Sequence, residues 1–124
     1  MIYGIGTDII EVARIQQLIE NHPASSLDRI YTDTEKKYCE EFGSRKWEHY
    51  AARFCVKEAF SKAIGTGLSQ GFSFKEVGVV NKEVGQPVLV LEGQMKQKYG
   101  HLIAHLTIAH TKEFACASVV LEEI

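Results

Sequence analysis

Three side chains of this 124-residue chain have the types and spacing for chemistry: Asp8, Glu58 and Lys62. Glu58 and Lys62 lie four positions apart within residues 54–63, an apolar stretch that predicts a helix. At about 100° per residue, one side of that helix carries Phe54, Glu58, Ser61, Lys62 and Gly65. Asp8 interrupts a glycine-spaced apolar segment, residues 4–9, that predicts a strand. Two carboxylates in apolar settings beside a lysine suit a divalent cation and chemistry on a phosphate.

Each of these residues also has a plainer interpretation. Glu58 and Lys62 alone could form an exposed helical ion pair, worth about 0.3–0.5 kcal/mol. Asp8 could be a turn residue or the cap of the following helix. Phe54 and the glycines after the helix favour a site instead, because a solvated face seldom carries an aromatic ring. Mg²⁺ commonly takes one or two protein carboxylates, whereas zinc would need several histidines or cysteines.

Composition limits the class of protein. Hydrophobic residues make up 45% and charged residues 24% of the chain, which is ordinary for a globular protein with one domain, residues 1–124. The net charge of −2 argues against a nucleic-acid binder. A local basic strip remains open, made of Arg45, Lys46, Arg53, Lys57 and Lys62.

Cysteine usage and hydropathy predict where the protein works. The three cysteines are odd in number and lack metal-type spacing, so we expect reduced core residues: Cys39, Cys55 and Cys116. No signal-peptide pattern is visible, and no run of about 18 apolar residues suggests a membrane span. These features predict a soluble, cytoplasmic protein with no membrane partner.

The first half of the sequence predicts one strand followed by helices, and these elements must position the three polar residues. The first half predicts, in order, a buried strand at 1–9, a helix from 11 that Pro23 ends, a helical turn at 27–31, a helix at 32–43 and the longest helix at 44–64. The helix from residue 11 has an apolar face of Val12, Ile15, Leu18 and Ile19. Thr32 with Glu35 matches a capping box, and Gly65 follows the longest helix as its stop.

The second half of the sequence predicts mainly strands. A glycine-rich loop at 65–71 precedes a hairpin of strands 74–80 and 87–91, a helix at 92–99 and two strands at 102–109 and 114–121. The loop is not a Walker P-loop, because no Gly-Lys-Ser/Thr follows and it lies after a helix. Helices first and antiparallel strands later indicate an α+β fold, with the long helix packed on an antiparallel sheet.

Two stretches together, residues 6–9 and 53–63, are similar to the paired signature of the 4′-phosphopantetheinyl transferases. Further similarities lie at residues 1–6, 65–67, 85–87 and 107–111. The length matches the small, single-domain bacterial type that acts on acyl carrier protein. The resemblance covers nearly the whole chain, and the two-part signature at this spacing is specific.

The resemblance implies a reaction and an assembly. The phosphopantetheine arm of coenzyme A would pass to a serine of apo acyl carrier protein, and adenosine 3′,5′-bisphosphate would leave. The family's α+β fold commonly forms a homotrimer in which each coenzyme site lies at a protomer boundary. A transferase for carrier domains of secondary metabolism is one alternative, although its relatives usually have longer, doubled chains. A non-catalytic coenzyme- or nucleotide-binding module is another, but binding alone would not require all of Asp8, Glu58 and Lys62.

The resemblance also assigns roles to residues. Asp8 and Glu58 would hold Mg²⁺ against the coenzyme pyrophosphate, and Lys62 would add a charge on the same oxygens or protonate the leaving phosphate. The serine proton would go to Glu58 or to a water whose pKa the metal lowers. Other expected coenzyme contacts are Ser61, Gly65, Thr66 and Gly67 at the phosphate and adenosine end, Arg45 and Arg53 at the 3′-phosphate, and Pro87, His110 and Thr111 along its border.

Binding of the carrier protein is the point where the chain departs from its relatives. They often place several basic residues on the first helix to hold the acidic carrier. Here Arg14 matches, but the later positions are the uncharged Asn21 and Ala24. Leu18 and Phe54 would supply the apolar part of the contact. Because charge complementarity mainly raises the association rate, the carrier would dock more weakly or differently.

Overall fold

The protein, described by a computed structural model over residues 1–124, has five helices and five strands. The helices are α1 (Val12–Asn21), α2 (Pro23–Ile30), α3 (Asp33–Glu40), α4 (Lys46–Ala63) and α5 (Gly93–Tyr99). The strands are β1 (Ile2–Glu11), β2 (Val77–Asn81), β3 (Pro87–Leu91), β4 (Ile103–His110) and β5 (Phe114–Glu122). No helix is both long and apolar enough to span a membrane.

The strands form two antiparallel sheets. One sheet has the order β1-β5-β4, and the hairpin β2-β3 forms the other. Helix α4 packs across the larger sheet, and its apolar side chains fill the centre of the core with those of β5 and α1. The predicted α+β arrangement of a long helix on an antiparallel sheet is therefore confirmed.

Glycines at two positions of β1 let the strand lie directly on α4. A Cβ atom at Gly4 would come within 1.8 Å of the Ala63 carbonyl oxygen, and one at Gly6 within 1.9 Å of the Ala59 carbonyl oxygen. No side chain fits in that space, so the backbones themselves are in contact. This approach carries the next residue on the same face, Asp8, to the side of α4.

The prediction of a buried β1 is wrong for one of its two faces. Ile5 is 66% exposed and Ile9 67% exposed, because their side chains point away from α4. The alternation along the strand buries the glycine side and leaves the apolar side uncovered in a single protomer.

Lys57 is not part of a basic surface strip, as the sequence analysis allowed, but lies fully buried. Its ammonium donates to Glu35 Oε1 at 2.8 Å and to the carbonyl oxygens of Phe74 and Val77. The other Glu35 oxygen accepts the Val79 N–H at 2.9 Å. All three ammonium protons are thus used, which is the condition under which a buried ion pair is tolerated.

The capping box at Thr32 and Glu35 is confirmed, and several predicted boundaries shift. α2 starts earlier than the predicted turn, because Pro23 ends α1 and then opens the next helix at its first position. Single 3₁₀ turns occupy 43–45 and 74–76, so α4 and β2 begin later than predicted. All three cysteines are free, but only Cys39 and Cys55 are core residues, because Cys116 is half-buried.

Candidate active site

Asp8 and Lys62 meet where β1 crosses the last turns of α4. Lys62 Nζ lies 3.2 Å from Asp8 Oδ1 and donates to the Thr7 carbonyl oxygen at 2.9 Å. The Asp8 side chain is 10% exposed, whereas that of Lys62 is 51% exposed. An ammonium has three donors, so one N–H of Lys62 remains for a group arriving from solvent.

Glu58 stands beside Asp8 one helical turn before Lys62. Burial raises the pKa of the Glu58 carboxyl group, and the neighbouring Asp8 carboxylate raises it further. Asp8 Oδ2 is buried and has no hydrogen-bond partner. A buried carboxylate oxygen without a donor is costly, and a second carboxylate next to it increases that cost. A cation between the two carboxylates would supply positive charge that this arrangement lacks.

A cleft of about 520 Å³ opens over these two carboxylates. Asp8 and Glu58 form its polar side, and Leu18, Phe54 and Arg14 belong to its remaining wall. Leu18 is 36% exposed, so it belongs to this cleft rather than to the core face of α1 that the sequence predicted. The cleft thus joins the carboxylate pair to an apolar and basic surface on the first helix.

The predicted site residues that follow Glu58 differ in their exposure to solvent. Ser61 is 1% exposed, and its hydroxyl donates to the Glu58 carbonyl oxygen at 2.6 Å. The sequence placed Ser61 on one side of the helix with Glu58 and Lys62; in the structure it faces the core, whereas Lys62 is exposed. Gly65 and Gly67 follow the helix with φ values of 88° and 59°, and Thr66 between them donates to the Gly67 carbonyl oxygen. This loop continues from the Lys62 end of α4.

The remaining predicted coenzyme residues border two cavities that extend from the middle of α4, where Arg53 lies, to its start. Arg53, Pro87 and His110 border a cavity of about 390 Å³, and Arg45, His110 and Thr111 border a neighbouring cavity of about 700 Å³. At 1.5 Å per residue, Lys62 lies about 14 Å along the α4 axis from Arg53 and about 26 Å from Arg45. Within one chain, Asp8 and Glu58 therefore line one cavity, and the remaining predicted residues line others.

Arg53 is not a free surface cation. It is 3% exposed, its guanidinium donates to Asn81 Oδ1, and it lies 4.2 Å from the centre of the Tyr38 ring. Its Nε atom is buried without a partner. Arg53 contributes positive charge to the wall of the smaller cavity while its position is fixed by stacking and by Asn81.

Glu48 was not identified from the sequence, although it connects two of the predicted residues. Its carboxylate accepts from Arg45 Nε at 3.4 Å and lies 3.0 Å from His110 Nδ1. Burial acts to raise its pKa, but the hydrogen bonds from His110 and Arg45 outweigh burial and hold the pKa below its usual value. In the sequence Glu48 looks like an ordinary acidic residue in the first turn of a helix.

His49 next to it is also buried, and no motif or spacing in the sequence distinguishes it. Its ring stacks on Phe42 with centroids 3.6 Å apart and lies 5.0 Å from the His110 ring. Burial lowers the pKa of His49 to about 4, helped by the positive charges of His110 and Arg53.

Comparison with known proteins gives the family. The model of the 4′-phosphopantetheinyl transferase superfamily matches residues 4–119. The chain belongs to this superfamily. A holo-[acyl-carrier-protein] synthase of Bacillus cereus is 43% identical over 125 residues, which cover 100% of this chain and 98% of the relative. One from Koribacter versatilis is 43% identical over 126 residues and covers 99% of this chain and 100% of its own length.

Solved structures of superfamily members share the fold. The crystal structure of a holo-(acyl-carrier-protein) synthase from Bacillus anthracis in complex with CoA (3′,5′-ADP) has a TM-score of 0.84 and 42% identity, with 100% of this chain and 99% of that chain covered. The synthase from Neisseria meningitidis has a TM-score of 0.86 and 31% identity, with 99% and 100% covered. The single chain of this protein is thus similar along its whole length to enzymes of this superfamily.

Proposed function

We propose that this protein transfers the 4′-phosphopantetheine moiety of coenzyme A to a serine of apo acyl carrier protein, as a step of fatty acid biosynthesis in the cytoplasm. The observation that carries the proposal is the full-length match to holo-[acyl-carrier-protein] synthases at 43% identity. The clustering of Asp8, Glu58 and Lys62 supports it, because a phosphate-directed reaction needs such a set of charges. The two carboxylates line one cleft, and Lys62 Nζ lies 3.2 Å from Asp8 Oδ1.

The carboxylate pair fits Mg²⁺. Asp8 and Glu58 would hold the ion, since Asp8 has a buried oxygen without a donor and Glu58 faces a like charge. The protein has no cluster of three or more His, Cys, Asp or Glu side chains able to hold a metal, and Mg²⁺ commonly uses only one or two protein carboxylates. When bound, the ion would reduce the negative charge on the coenzyme pyrophosphate.

The protein's own groups then act on the reacting atoms. The serine oxygen of the carrier attacks the phosphorus that bears pantetheine, the bond to the adenosine-side phosphate oxygen breaks, and adenosine 3′,5′-bisphosphate leaves. Lys62, held by Thr7 and Asp8, would direct its third N–H to a phosphate oxygen and stabilise the developing charge. Glu58 would accept the serine proton, either directly or through a water molecule.

The complete coenzyme site would form between two protomers of a homotrimer. Lys62 and the loop at 65–67 would come from one protomer, and Arg45, Arg53, Pro87, His110 and Thr111 from its neighbour. In one chain Arg53 lies about 14 Å and Arg45 about 26 Å from Lys62 along α4, which supports this arrangement. The uncovered side of the larger sheet, with Ile5 and Ile9 more than 60% exposed, offers an apolar surface for association.

The carrier protein would dock on α1 at the mouth of the cleft. Arg14 would pair with an acidic residue of the carrier, and Leu18 and Phe54 would contact its apolar side chains. Asn21 and Ala24 add no charge, so docking would rest on fewer ion pairs than in relatives with a basic first helix. We expect Arg14→Ala to raise KM for the carrier and to leave KM for coenzyme A unchanged.

The proposal is tested by incubating the protein with apo acyl carrier protein, coenzyme A and Mg²⁺. Release of adenosine 3′,5′-bisphosphate in step with loss of coenzyme A is the expected result. A carrier protein with its acceptor serine replaced by alanine is the control, and release at the same rate with that control would contradict transfer to the serine.

A further inference from the structure

Glu48 lies between the side chains of Arg45 and His110, which come from distant parts of the chain. Arg45 precedes α4 and donates from Nε to Glu48 Oε2, while His110 ends β4 and places Nδ1 3.0 Å from Glu48 Oε1. Glu48 and His110 are 62 positions apart. Each carboxylate oxygen therefore holds one side chain, and the carboxylate fixes the distance between them.

The atoms that Glu48 leaves free face one cavity. The two terminal nitrogens of Arg45 and Nε2 of His110 have no hydrogen-bond partner in the protein. Arg45, Glu48 and His110 all border the cavity of about 700 Å³, together with Thr111 and Lys112. The free guanidinium donors of Arg45 beside a polar cavity suit an anion such as a phosphate group, and Nε2 of His110 can donate to the same anion when the ring carries both protons.

A carboxylate at this position repels an anion, so it can favour anion binding only through a second effect that outweighs the repulsion. Glu48 has a side chain that is 10% exposed, so its charge is poorly screened. The two hydrogen bonds offset that repulsion by restricting Arg45, whose own side chain is 67% exposed. A long exposed arginine loses entropy when it binds a ligand, and a fixed partner reduces that loss before binding.

Resting on the proposed function, we propose that Glu48 is a positioning residue for the phosphate at the adenosine end of coenzyme A: it holds Arg45 and His110 so that their free nitrogens bind that phosphate. Glu48 itself does not contact the substrate. The plainer alternative is that Glu48 only stabilises the first turn of α4 through the helix dipole and a surface ion pair. That role would affect folding but would not depend on which coenzyme is bound.

The test compares the wild type with Glu48→Gln, which keeps the shape and removes the charge. We expect KM for coenzyme A to rise about tenfold, as for loss of a charge-assisted contact, with kcat and the KM for carrier protein within about twofold. With 3′-dephospho-coenzyme A, which lacks the phosphate, the difference between the two proteins should nearly vanish. Glu41→Gln, at an exposed glutamate without an ion pair, is the matched control and should match the wild type.

An unchanged or lower KM for coenzyme A in Glu48→Gln would overturn the positioning role. So would an equal rise with 3′-dephospho-coenzyme A. Thermal unfolding shows whether the variant is folded, and if it is not, Glu48→Asp takes its place with a smaller expected rise in the same KM; no rise would overturn the role. A wild-type protein that transfers nothing would contradict the proposed function, whereas an active wild type with no change in Glu48→Gln contradicts only this inference.

Discussion

Lys62 Nζ lies 3.2 Å from Asp8 Oδ1, although 54 positions separate the two residues in the chain. The contact depends on backbone packing rather than on any sequence neighbour. Gly4 and Gly6 bring β1 so close to α4 that the helix carbonyl oxygens occupy the space of a side chain. The candidate site is therefore built on β1 and α4. These two elements can lie this close because Gly4 and Gly6 have only a hydrogen atom in place of a side chain.

Gly6→Ala should disrupt both the fold and the site. Its Cβ would meet the Ala59 carbonyl oxygen at 1.9 Å, so β1 must move away from α4. We expect a loss of at least about 2 kcal/mol in the free energy of unfolding, measured by urea titration, and reduced transfer activity in the folded fraction. Gly78→Ala is the matched control, because its Cβ would meet only ordinary contacts at 3.5 Å and should cost much less. Equal losses in the two variants would contradict the packing argument.

Glu58→Gln should make the metal-free protein more stable and nearly inactive. Without a cation, burial and the Asp8 carboxylate both disfavour the charged form of Glu58, so removing its charge should raise the free energy of unfolding in EDTA. Mg²⁺ should raise the Tm of the wild type but not that of the variant. Transfer should fall at least about a hundredfold. A variant that gains as much Tm from Mg²⁺ as the wild type would remove Glu58 from the metal site.

Lys62→Ala and His110→Ala should complement each other if the coenzyme site is shared between protomers. Each variant alone should be slow, because each assembly lacks one half of every site. When the two variants are co-expressed, some sites would combine Lys62 from the His110→Ala chain with His110 from the Lys62→Ala chain. These sites are intact, so activity should exceed that of either variant several-fold. Activity no higher than the average of the two variants would place the site within one protomer.

Acid should destabilise the protein partly through His49. Its pKa is about 4 in the folded protein against 6.5 for an ordinary histidine, so between these values the unfolded chain binds a proton that the folded chain does not. The contribution of neutral His49 to the free energy of unfolding is thus complete above pH 6.5 and is lost as the pH falls toward 4. The groups that face His49 are His110, Arg53, Glu48 and Arg45.

The comparison that isolates His49 is unfolding of the wild type and His49→Phe across this range. The phenyl ring keeps the stacking on Phe42 and cannot titrate. We expect the stability of the wild type to decline more steeply than that of the variant between pH 6.5 and 4. His101→Phe, at an exposed histidine, serves as the control. Parallel curves for the wild type and His49→Phe would contradict the assignment.

Periodic and turn signals predicted most of the fold. The capping box at Thr32 and Glu35, the long helix and the β2-β3 hairpin each depend on local patterns, and local patterns are present in the sequence. The glycine spacing of β1 predicted a buried strand but not the close approach of its backbone to α4.

Contacts between residues far apart in the chain could not be predicted from the sequence. Lys57 looked like a surface cation, because its buried partner Glu35 lies 22 positions away and was already assigned to a cap. A helical-wheel projection places Ser61 on the same broad side as Lys62. Adjacent residues of a helix are about 100° apart, however, and in the structure Ser61 faces the core. Glu48 acquires its role only when β4 brings His110 beside it.

The intact mass of apo acyl carrier protein after incubation with the wild-type protein, coenzyme A and Mg²⁺ tests the central claim most directly. We expect a gain equal to one phosphopantetheine group on the carrier with the wild type, and almost none with Glu58→Gln or in EDTA. No gain in mass with wild-type protein, on a carrier that a known synthase modifies, would contradict it.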